Sequence, residues 1–449
     1  MDAHTLQRSL RMVIVAIAFG MVFFVITTGS PLTGFARKLG AGDFLFGVLM
    51  ALPIVGGVFQ LVTAYWLEKL RRRKKIFMIA CFLQRAVWLP IAFVPFFIPP
   101  HWPGLRIWVV ISLLCLSSFG SSVSSVPFLS WMGDLVPDQI RGRYFSRRNA
   151  ISTVSASIGG LAAGYFLDLN NNFTGFAIIF TAAALFGIVD ILCFIWVKEP
   201  PFTSGESVPF TKMMTMPFRE RNFRRYMFFW AAWSFGVNVA GPFFNVYMLE
   251  NLKLHYLEIV LCTQLLSSLA TVLFARVWGR LADTHGSKPV MMLCGLGAMT
   301  LPCFWLLPAA HAAYTPWVVA GINFLGGAFW SGIDVTNLHL LLSCSPEKNR
   351  SMFIAGFNMF TALIGGVLAY LAGGLFLDLT SFVTRLHWPL LYGNHLTNYH
   401  LLFILSALLR ALALFIGLPR LSQPSASDTK QVARALLRGR SEAGRSRSG

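Results

Sequence analysis

Long apolar runs separated by short polar segments dominate the pattern of this chain. A helical run of about 20 apolar residues is long enough to cross the ~30 Å hydrocarbon layer of a bilayer. By this criterion the sequence predicts twelve spans, numbered here in chain order, and an all-α membrane protein. Their predicted bounds are 11–31, 43–67, 76–98, 104–130, 149–168, 174–197, 226–249, 255–278, 289–310, 314–342, 352–378 and 398–419.

One long polar linker divides the spans into six and six. It contains Pro200, Pro201, Ser204 and Gly205, which are typical of an irregular connection. The predicted domains are an N-terminal six-helix bundle over 1–197, a cytoplasmic linker over 198–225, a C-terminal six-helix bundle over 226–419 and a basic, disordered cytoplasmic tail over 420–449.

The two halves also repeat each other. Residues 137–141 and 346–350 each precede a span that ends in an aspartate, Asp168 in the first half and Asp378 in the second. The shift between the paired residues is 209 or 210 positions. A constant shift of this kind predicts a parallel duplication of one six-helix unit.

Composition and charge place these spans in a membrane. The chain is 56% hydrophobic and only 12% charged, which excludes an ordinary soluble protein. Alternating segments hold 30 Lys and Arg residues on the side of both termini and five on the other, so both termini are predicted to be cytoplasmic. This asymmetry accounts for the net charge of +19 without a nucleic-acid partner, and we predict a bacterial cytoplasmic (inner) membrane protein.

The segment 279–288 is predicted to form a short charged turn between spans 8 and 9. Its pattern, Gly-x-Leu-Ala-Asp-x-x-Gly-x-Lys, resembles the loop motif of the major facilitator superfamily (MFS) of secondary transporters. The resemblance implies two pseudo-symmetric six-helix bundles and a gate braced by the motif acid; the alternative is a solvated turn. The first-half copy keeps the acid and a basic run but loses both glycines. The gating residues expected are Gly279, Asp283, Gly286, Lys288, Glu68 and Arg141.

Polar residues inside spans are the candidate binding residues, because a charged side chain at mid-bilayer costs about 2.5–3.5 kcal/mol. Asp334 leads, since helical periodicity places it on one stripe of span 10 with two asparagines and a tryptophan. The resemblance implies that spans 1, 4, 7 and 10 line the central cavity. The predicted substrate- and proton-binding residues are Asp334, Trp330, Asn337, Asn323, Asn238, Asn245, Trp230 and Ser125. The alternative is that the neutral ones only hydrogen-bond between helices.

Arg85 in span 3 and Asp190 in span 6 lie at similar depth from the cytoplasmic ends of their spans. They are therefore predicted to form an intramembrane ion pair, and the functional alternative is that Arg85 binds an anion. Arg410 in span 12 has no acidic partner that the sequence identifies, which leaves snorkelling toward the membrane surface as its interpretation.

The chain carries no phosphate loop, nucleophile elbow or paired metal-ligand motif, so we predict a transporter rather than an enzyme, without cofactor or metal. The predicted function is secondary transport of a small organic solute by alternating access, with proton-coupled export of an amphipathic or cationic compound through Asp334. The alternatives are a proton-coupled uptake symporter for an organic anion, or a lipid-moving or solute-sensing protein on the same fold. The expected partners are the small-molecule substrate, protons and membrane lipids, and the expected state is a monomer.

Reporter fusions test the predicted topology. Fusions at Phe202 and after Arg420 should both report the cytoplasm, because the basic residues concentrate on that side of the membrane. A signal from the outside at either position would contradict the prediction of twelve spans with both termini inside.

Overall fold

The structure, a computed structural model, describes residues 3–57, 60, 63, 72–200, 218–346, 350–386, 388–389 and 395–421. Nine helices within these ranges are long and apolar enough to cross a membrane. Three shorter or more polar helices, Asp43–Gly56, Arg221–Asn238 and Ser287–Phe304, lie where spans 2, 7 and 9 are predicted. The prediction of an all-α protein of twelve spans is confirmed.

Two of the first six spans, spans 1 and 3, are each divided into two helices. In span 3 the break follows Ala86, because Pro90 has no N–H group to donate to the Ala86 carbonyl. The helices of these spans are Ala3–Thr28 and Ser30–Lys38 (span 1), Asp43–Gly56 (span 2), Arg73–Ala86 and Trp88–Phe97 (span 3), Pro103–Leu135 (span 4), Asp138–Leu169 (span 5), and Phe173–Cys193 with the 3₁₀ turn Phe194–Trp196 (span 6).

Spans 7 to 12 contain the four π-helical segments of the described chain. Each π turn widens the helix locally and leaves backbone groups displaced from the α-helical ladder. The helices are Arg221–Asn238, Phe243–Val246 and π Tyr247–Asn251 (span 7), Tyr256–Val260, π Leu261–Leu266 and Ser267–His285 (span 8), Ser287–Phe304 (span 9), Thr315–Cys344 (span 10), Arg350–Ala362, π Leu363–Leu368 and Ala369–Leu379 (span 11), the short Phe382–Arg385, and Asn398–Leu412, π Ala413–Gly417 and 3₁₀ Leu418–Arg420 (span 12).

Two predicted boundaries beside the charged segments were wrong, the end of span 8 by about two turns of helix and the start of span 5 by about three. Span 8 continues to His285, so most of 279–288 is helical and the turn is confined to Gly286, whose φ of +91° is a conformation that favours glycine. Span 5 begins at Asp138 rather than 149, directly after Pro137. An acidic residue in the first turn stabilises a helix start, and the basic cluster 141–148 therefore lies on helix rather than in a loop.

The chain folds into two compact units. The first comprises Met1–Ser207 together with Pro242–Leu261, and the second comprises Val208–Gly241 and Cys262–Gly449. The stretch 242–261, which the sequence assigns to the C-terminal bundle, therefore packs with the first unit.

The core of each unit is built on large buried aromatic side chains. In the first unit Trp131 is fully buried and its indole Nε1 donates to the Lys198 carbonyl at 3.1 Å. In the second unit Trp278 donates to the Ala328 carbonyl at 2.8 Å. Each indole thus buries a large apolar surface while its one polar group finds a partner.

Arg410 does not snorkel to the membrane surface, which corrects the sequence interpretation. Its side chain is buried, Nη1 donates to the Ala298 carbonyl at 2.8 Å, and Nε lies 3.5 Å from the Gly236 carbonyl. The guanidinium group therefore links spans 7, 9 and 12 through backbone carbonyls.

A second buried arginine, Arg73, holds one end of the first unit together. Nη1 lies 2.5 Å from Asp134 Oδ2, Nε lies 3.5 Å from Glu199 Oε1, and Nη2 donates to the Pro200 carbonyl at 2.8 Å. The side chain of Arg73 is fully buried, whereas that of Asp134 is 36% exposed. Arg73 thus joins the start of span 3 to the end of span 4 and to the segment after span 6.

Replacing Arg73 tests this linkage. Arg73→Met should lower the apparent Tm of the purified protein in detergent, because the lost charge-assisted hydrogen bonds are worth about 1–3 kcal/mol. Arg72→Met is the matched control, since Arg72 is the exposed neighbour. Equal apparent Tm values for the two variants would contradict a structural role for Arg73.

Candidate substrate site

A small pocket lies inside the first unit, between spans 1, 3, 4, 5 and 6. Its volume is about 230 Å³. Charged, hydroxyl and aromatic groups share its wall, which is the combination that small-molecule sites use to fix orientation. The lining residues are Val13, Ile17, Phe77, Cys81, Gln84, Arg85, Ser121, Ser124, Ser125, Phe128, Arg148, Asp190 and Phe194.

The predicted partners Arg85 and Asp190 meet in this pocket. Arg85 Nη2 lies 2.8 Å from Asp190 Oδ2, and the two side chains are only 12% and 9% exposed. Arg85 Nη1 also donates to the side-chain oxygen of Gln84, and the Arg85 guanidinium stacks 5.1 Å from the Phe23 ring centroid. Removing two ions from water is costly, and these contacts offset part of that cost.

Two glycines make room for the ion pair. A Cβ atom on Gly187 would lie 2.4 Å from Arg85 Cγ, and one on Gly20 would lie 2.8 Å from Asp190 Oδ2. Spans 1 and 6 can therefore approach the pair only because these positions lack side chains.

Arg148 brings a second cation to the pocket. Its guanidinium carbon lies 5.5 Å from the Phe128 ring centroid, a cation–π contact. The Nε atoms of both Arg148 and Arg85 are buried and have no hydrogen-bond partner among the described residues. Two guanidinium groups thus face a single carboxylate, Asp190, and the pocket has one positive charge in excess.

The serines of span 4 supply oxygen atoms to the same wall. Ser124 Oγ donates to the Ser121 carbonyl and Ser125 Oγ to the Ser122 carbonyl, each at 2.8 Å. Because their hydrogens are engaged within the helix, Ser124 and Ser125 offer lone pairs rather than donors to the pocket. Ser125 is the one predicted binding residue that the structure brings to the ion pair.

Three of the four asparagines predicted on spans 7 and 10 are engaged within the second unit. Asn337 accepts a hydrogen bond from the Tyr226 hydroxyl, Asn238 donates to the Gly365 carbonyl, and Asn323 donates to the Val319 carbonyl at 2.9 Å. These contacts are hydrogen bonds between and within helices, as the alternative interpretation expects, and the binding role of these asparagines stays a prediction.

Asp334 differs from these asparagines. Asp334 is exposed, and its carboxylate forms no hydrogen bond or ion pair with the described part of the chain. Trp330 and Trp230 are half-buried, and the Trp330 ring centroid lies 6.3 Å from that of Trp233. Asn245 is half-buried and falls in the first unit.

The gating residues have contacts of their own. Arg141 pairs with Asp138 at 2.6 Å one turn earlier, and Lys288 Nζ donates to the Leu421 carbonyl at 2.7 Å, at the end of span 12. Asp283 is exposed in the last turns of span 8. Gly279 has open space around its Cβ position and Gly286 forms the turn. Glu68 lies outside the described residues.

A charged cluster also lies at the far end of span 1. Arg37 pairs with Glu250 and Asp43, each at 2.8 Å. Asp168, one of the two repeated aspartates, accepts from the backbone N–H groups of Tyr256 and Leu257 at 2.7 and 3.0 Å. A carboxylate at these first N–H groups stabilises the helix that begins at Tyr256.

Sequence reasoning missed Arg148 as a pocket residue because it placed the start of span 5 too late. The signal was the pair Pro137–Asp138, a proline followed by an acid, which is typical of a helix start. Extending the helix back to Asp138 puts Arg148 nearly three turns inside it.

A family model described as the Major Facilitator Superfamily matches residues 12–263 and 234–447. A curated relative, the multi-drug resistance efflux pump PmrA homolog of Lactococcus lactis subsp. lactis (strain IL1403), is 36% identical over 103 residues, 23% of this chain. That match spans about a quarter of the relative, 24% of its length.

Solved structures show the same fold at low identity. The nucleoside transporter NupG has a TM-score of 0.65 and 13% identity, covering 91% of this chain and 98% of that one. A bacterial homologue of the iron transporter ferroportin, in an inward-facing state, has a TM-score of 0.66 and 12% identity, covering 94% of this chain and 100% of that one. A D-xylose-proton symporter has a TM-score of 0.60 and 16% identity, covering 94% of this chain and 98% of that one.

These matches confirm the resemblance that the loop motif indicated and the twelve-span fold of two six-helix bundles. The family model covers both halves of the chain, as the repeat predicts. The chain belongs to the Major Facilitator Superfamily of membrane transporters.

Proposed function

We propose that this protein carries a small organic anion across the membrane together with a proton, by alternating access of two six-helix bundles. The observation that supports the proposal is the Arg85 pocket, where the buried Nε atoms of Arg85 and Arg148 have no partner among the described residues. Guanidinium groups bind carboxylates and phosphates through paired N–H donors.

The charge of the pocket favours an anionic solute. Two arginines and Asp190 sum to one positive charge, which is costly to leave uncompensated where water is scarce. A bound carboxylate would accept hydrogen bonds from the free donors, and its charge would balance the positive charge that protonation of Asp190 adds. The volume of 230 Å³ suits a small solute, and the rings of Phe77, Phe128 and Phe194 suit one with an apolar portion.

Asp190 is the group we assign to the proton. Protonation of Asp190 would remove its charge and release Arg85 to bind the solute. The empty pocket, with Asp190 ionised, and the loaded pocket, with Asp190 protonated and one anion bound, then carry the same net charge. Moving an anion and a proton together therefore avoids any change of charge in the membrane, where such a change is expensive.

The arginine that sequence reasoning missed provides the first test. Arg148→Gln should lower kcat/KM for uptake of labelled organic anions into proteoliposomes about 10-fold or more, because a charge-assisted hydrogen bond contributes about 1.5–3 kcal/mol. Arg147→Gln is the matched control, since Arg147 is the adjacent exposed residue on the same helix. A transporter that moves organic cations but none of the anions would overturn the proposal.

Export of an amphipathic or cationic compound is the second candidate function. Two observations favour it: the exposed Asp334 has no partner among the described residues, and part of the chain is similar to a multidrug efflux pump homologue. A carboxylate near Trp330 suits an organic cation, since aromatic faces attract cations. In this mechanism Asp334 would exchange a proton for the solute.

Two variants decide which acid couples transport to protons. Asp190→Asn should abolish anion accumulation driven by a pH gradient while retaining solute exchange, because the amide cannot titrate. Asp334→Asn should accumulate anions at the wild-type rate. Both variants are first checked for a monodisperse size-exclusion profile. The opposite pattern, with Asp334→Asn losing proton-driven movement of an organic cation, would favour export.

A further inference from the structure

A long apolar groove lies in the second unit beside spans 7, 11 and 12. Its volume is about 570 Å³, compared with 230 Å³ for the Arg85 pocket. Eleven of its fourteen lining residues are apolar and the other three are arginines. None of the residues that either function proposal uses lines it.

The apolar part of the groove is open at its rim and closed at its floor. Phe228, Leu412 and Ile416 are 50%, 59% and 45% exposed, whereas Phe229 and Ala413 beneath them are buried. Exposed apolar side chains of this size on membrane spans are suited to contact with acyl chains rather than with water.

The three arginines lie at one end of the groove. Arg225 Nη1 donates to the Arg420 carbonyl at 3.2 Å, which joins the start of span 7 to the end of span 12. Arg224 Nη1 donates to the Phe218 carbonyl at 3.0 Å. No acidic residue lines the groove, and none of the three arginines forms an ion pair within the described ranges. This end therefore carries an uncompensated positive charge.

The length of the groove matches one leaflet of the bilayer. Arg225 and Phe235 lie on the same helix and both line the groove. Ten residues of helix rise about 15 Å, and half of the ~30 Å hydrocarbon layer is also about 15 Å. A groove that begins with cations and continues over apolar surface for that distance has the polarity and the length of a single phospholipid.

We infer that the groove binds an anionic phospholipid of the leaflet next to the chain termini. Arg224, Arg225 and Arg420 hold the headgroup phosphate, and an acyl chain lies along Phe228 and Leu412. The segment 422–449 is a poor occupant by charge, because it carries six basic and two acidic residues. A lipid phosphate complements the three arginines, and the inference does not depend on which solute is transported.

Thermal stability of the full chain in maltoside detergent tests the inference. Added phosphatidylglycerol should raise the apparent Tm of the wild type by about 3 °C or more, and phosphatidylcholine should raise it less. The rise should be lost in Arg224→Gln/Arg420→Gln. It should persist in Arg219→Gln/Arg221→Gln, because these two arginines are exposed at the same helix end but do not line the groove.

A second variant fills the groove without changing its charge. Ala232 is an exposed lining residue, and Ala232→Trp should reduce the stabilisation by phosphatidylglycerol because it occupies the acyl-chain path. Glycerol 3-phosphate, a soluble headgroup without chains, should not stabilise the wild type.

Several outcomes would overturn the inference. Equal stabilisation by phosphatidylcholine or by glycerol 3-phosphate would show that the anionic headgroup and the chain are not recognised together. Undiminished stabilisation of both groove variants would place the lipid elsewhere. If phosphatidylglycerol did not raise the apparent Tm of the wild type, the occupant of the groove would be a protein segment, either 422–449 or a second copy of the chain.

Discussion

Burial of Arg85 and Asp190 inside membrane spans is the constraint on which the first unit depends. Either ion alone would cost several kcal/mol in a low-dielectric interior. At 2.8 Å each ion compensates the other, but only while spans 3 and 6 keep their spacing. The absence of side chains at Gly20 and Gly187 provides that spacing. The glycines and the ion pair are therefore parts of one arrangement, and a larger residue at either glycine would separate the charges.

The comparison of Arg85 with Arg410 explains why one buried arginine suggests a binding site and the other a brace. Arg410 donates to backbone carbonyls of Ala298 and Gly236, which cannot move independently of their helices. Arg85 pairs with a carboxylate that can be protonated, and it lines a pocket with Arg148. The guanidinium group of Arg410 in span 12 thus has permanent partners, whereas that of Arg85 in span 3 has an exchangeable one.

The sequence predicted the existence and number of the spans correctly, because length and apolarity alone decide whether a helix can cross a bilayer. The ends of helices depend on local capping, and their predicted positions were less accurate. The start at Asp138 and the turn at Gly286 were misplaced although Pro137 and a glycine signalled them. That error removed Arg148 from the predicted site, while Arg85 and Asp190 were found because depth along a span follows from residue counting.

Helical periodicity was also insufficient for the stripe on span 10. It places Asn337 and Asp334 on one side of the helix but does not say which neighbour covers them. Asn337 is engaged with Tyr226 of span 7. Gly327, which the same periodicity places on this stripe, packs closely against the Ser267 carbonyl of span 8, and Asp334 is exposed. Residues that share a stripe therefore have three different environments, which only the packing of adjacent spans determines.

The duplicated halves keep one fold but differ in charge around one pair of equivalent positions. Ser125 lies 209 residues before Asp334, so the second half has an acid where the first half has a neutral serine in a pocket with two arginines. Symport of a proton with a monovalent anion moves no net charge, and neither does exchange of a proton for a monovalent cation. The membrane potential therefore does not distinguish the two candidate functions. The distinguishing property is the sign of the solute, which depends on local charge, and the buried pocket of this chain is positive.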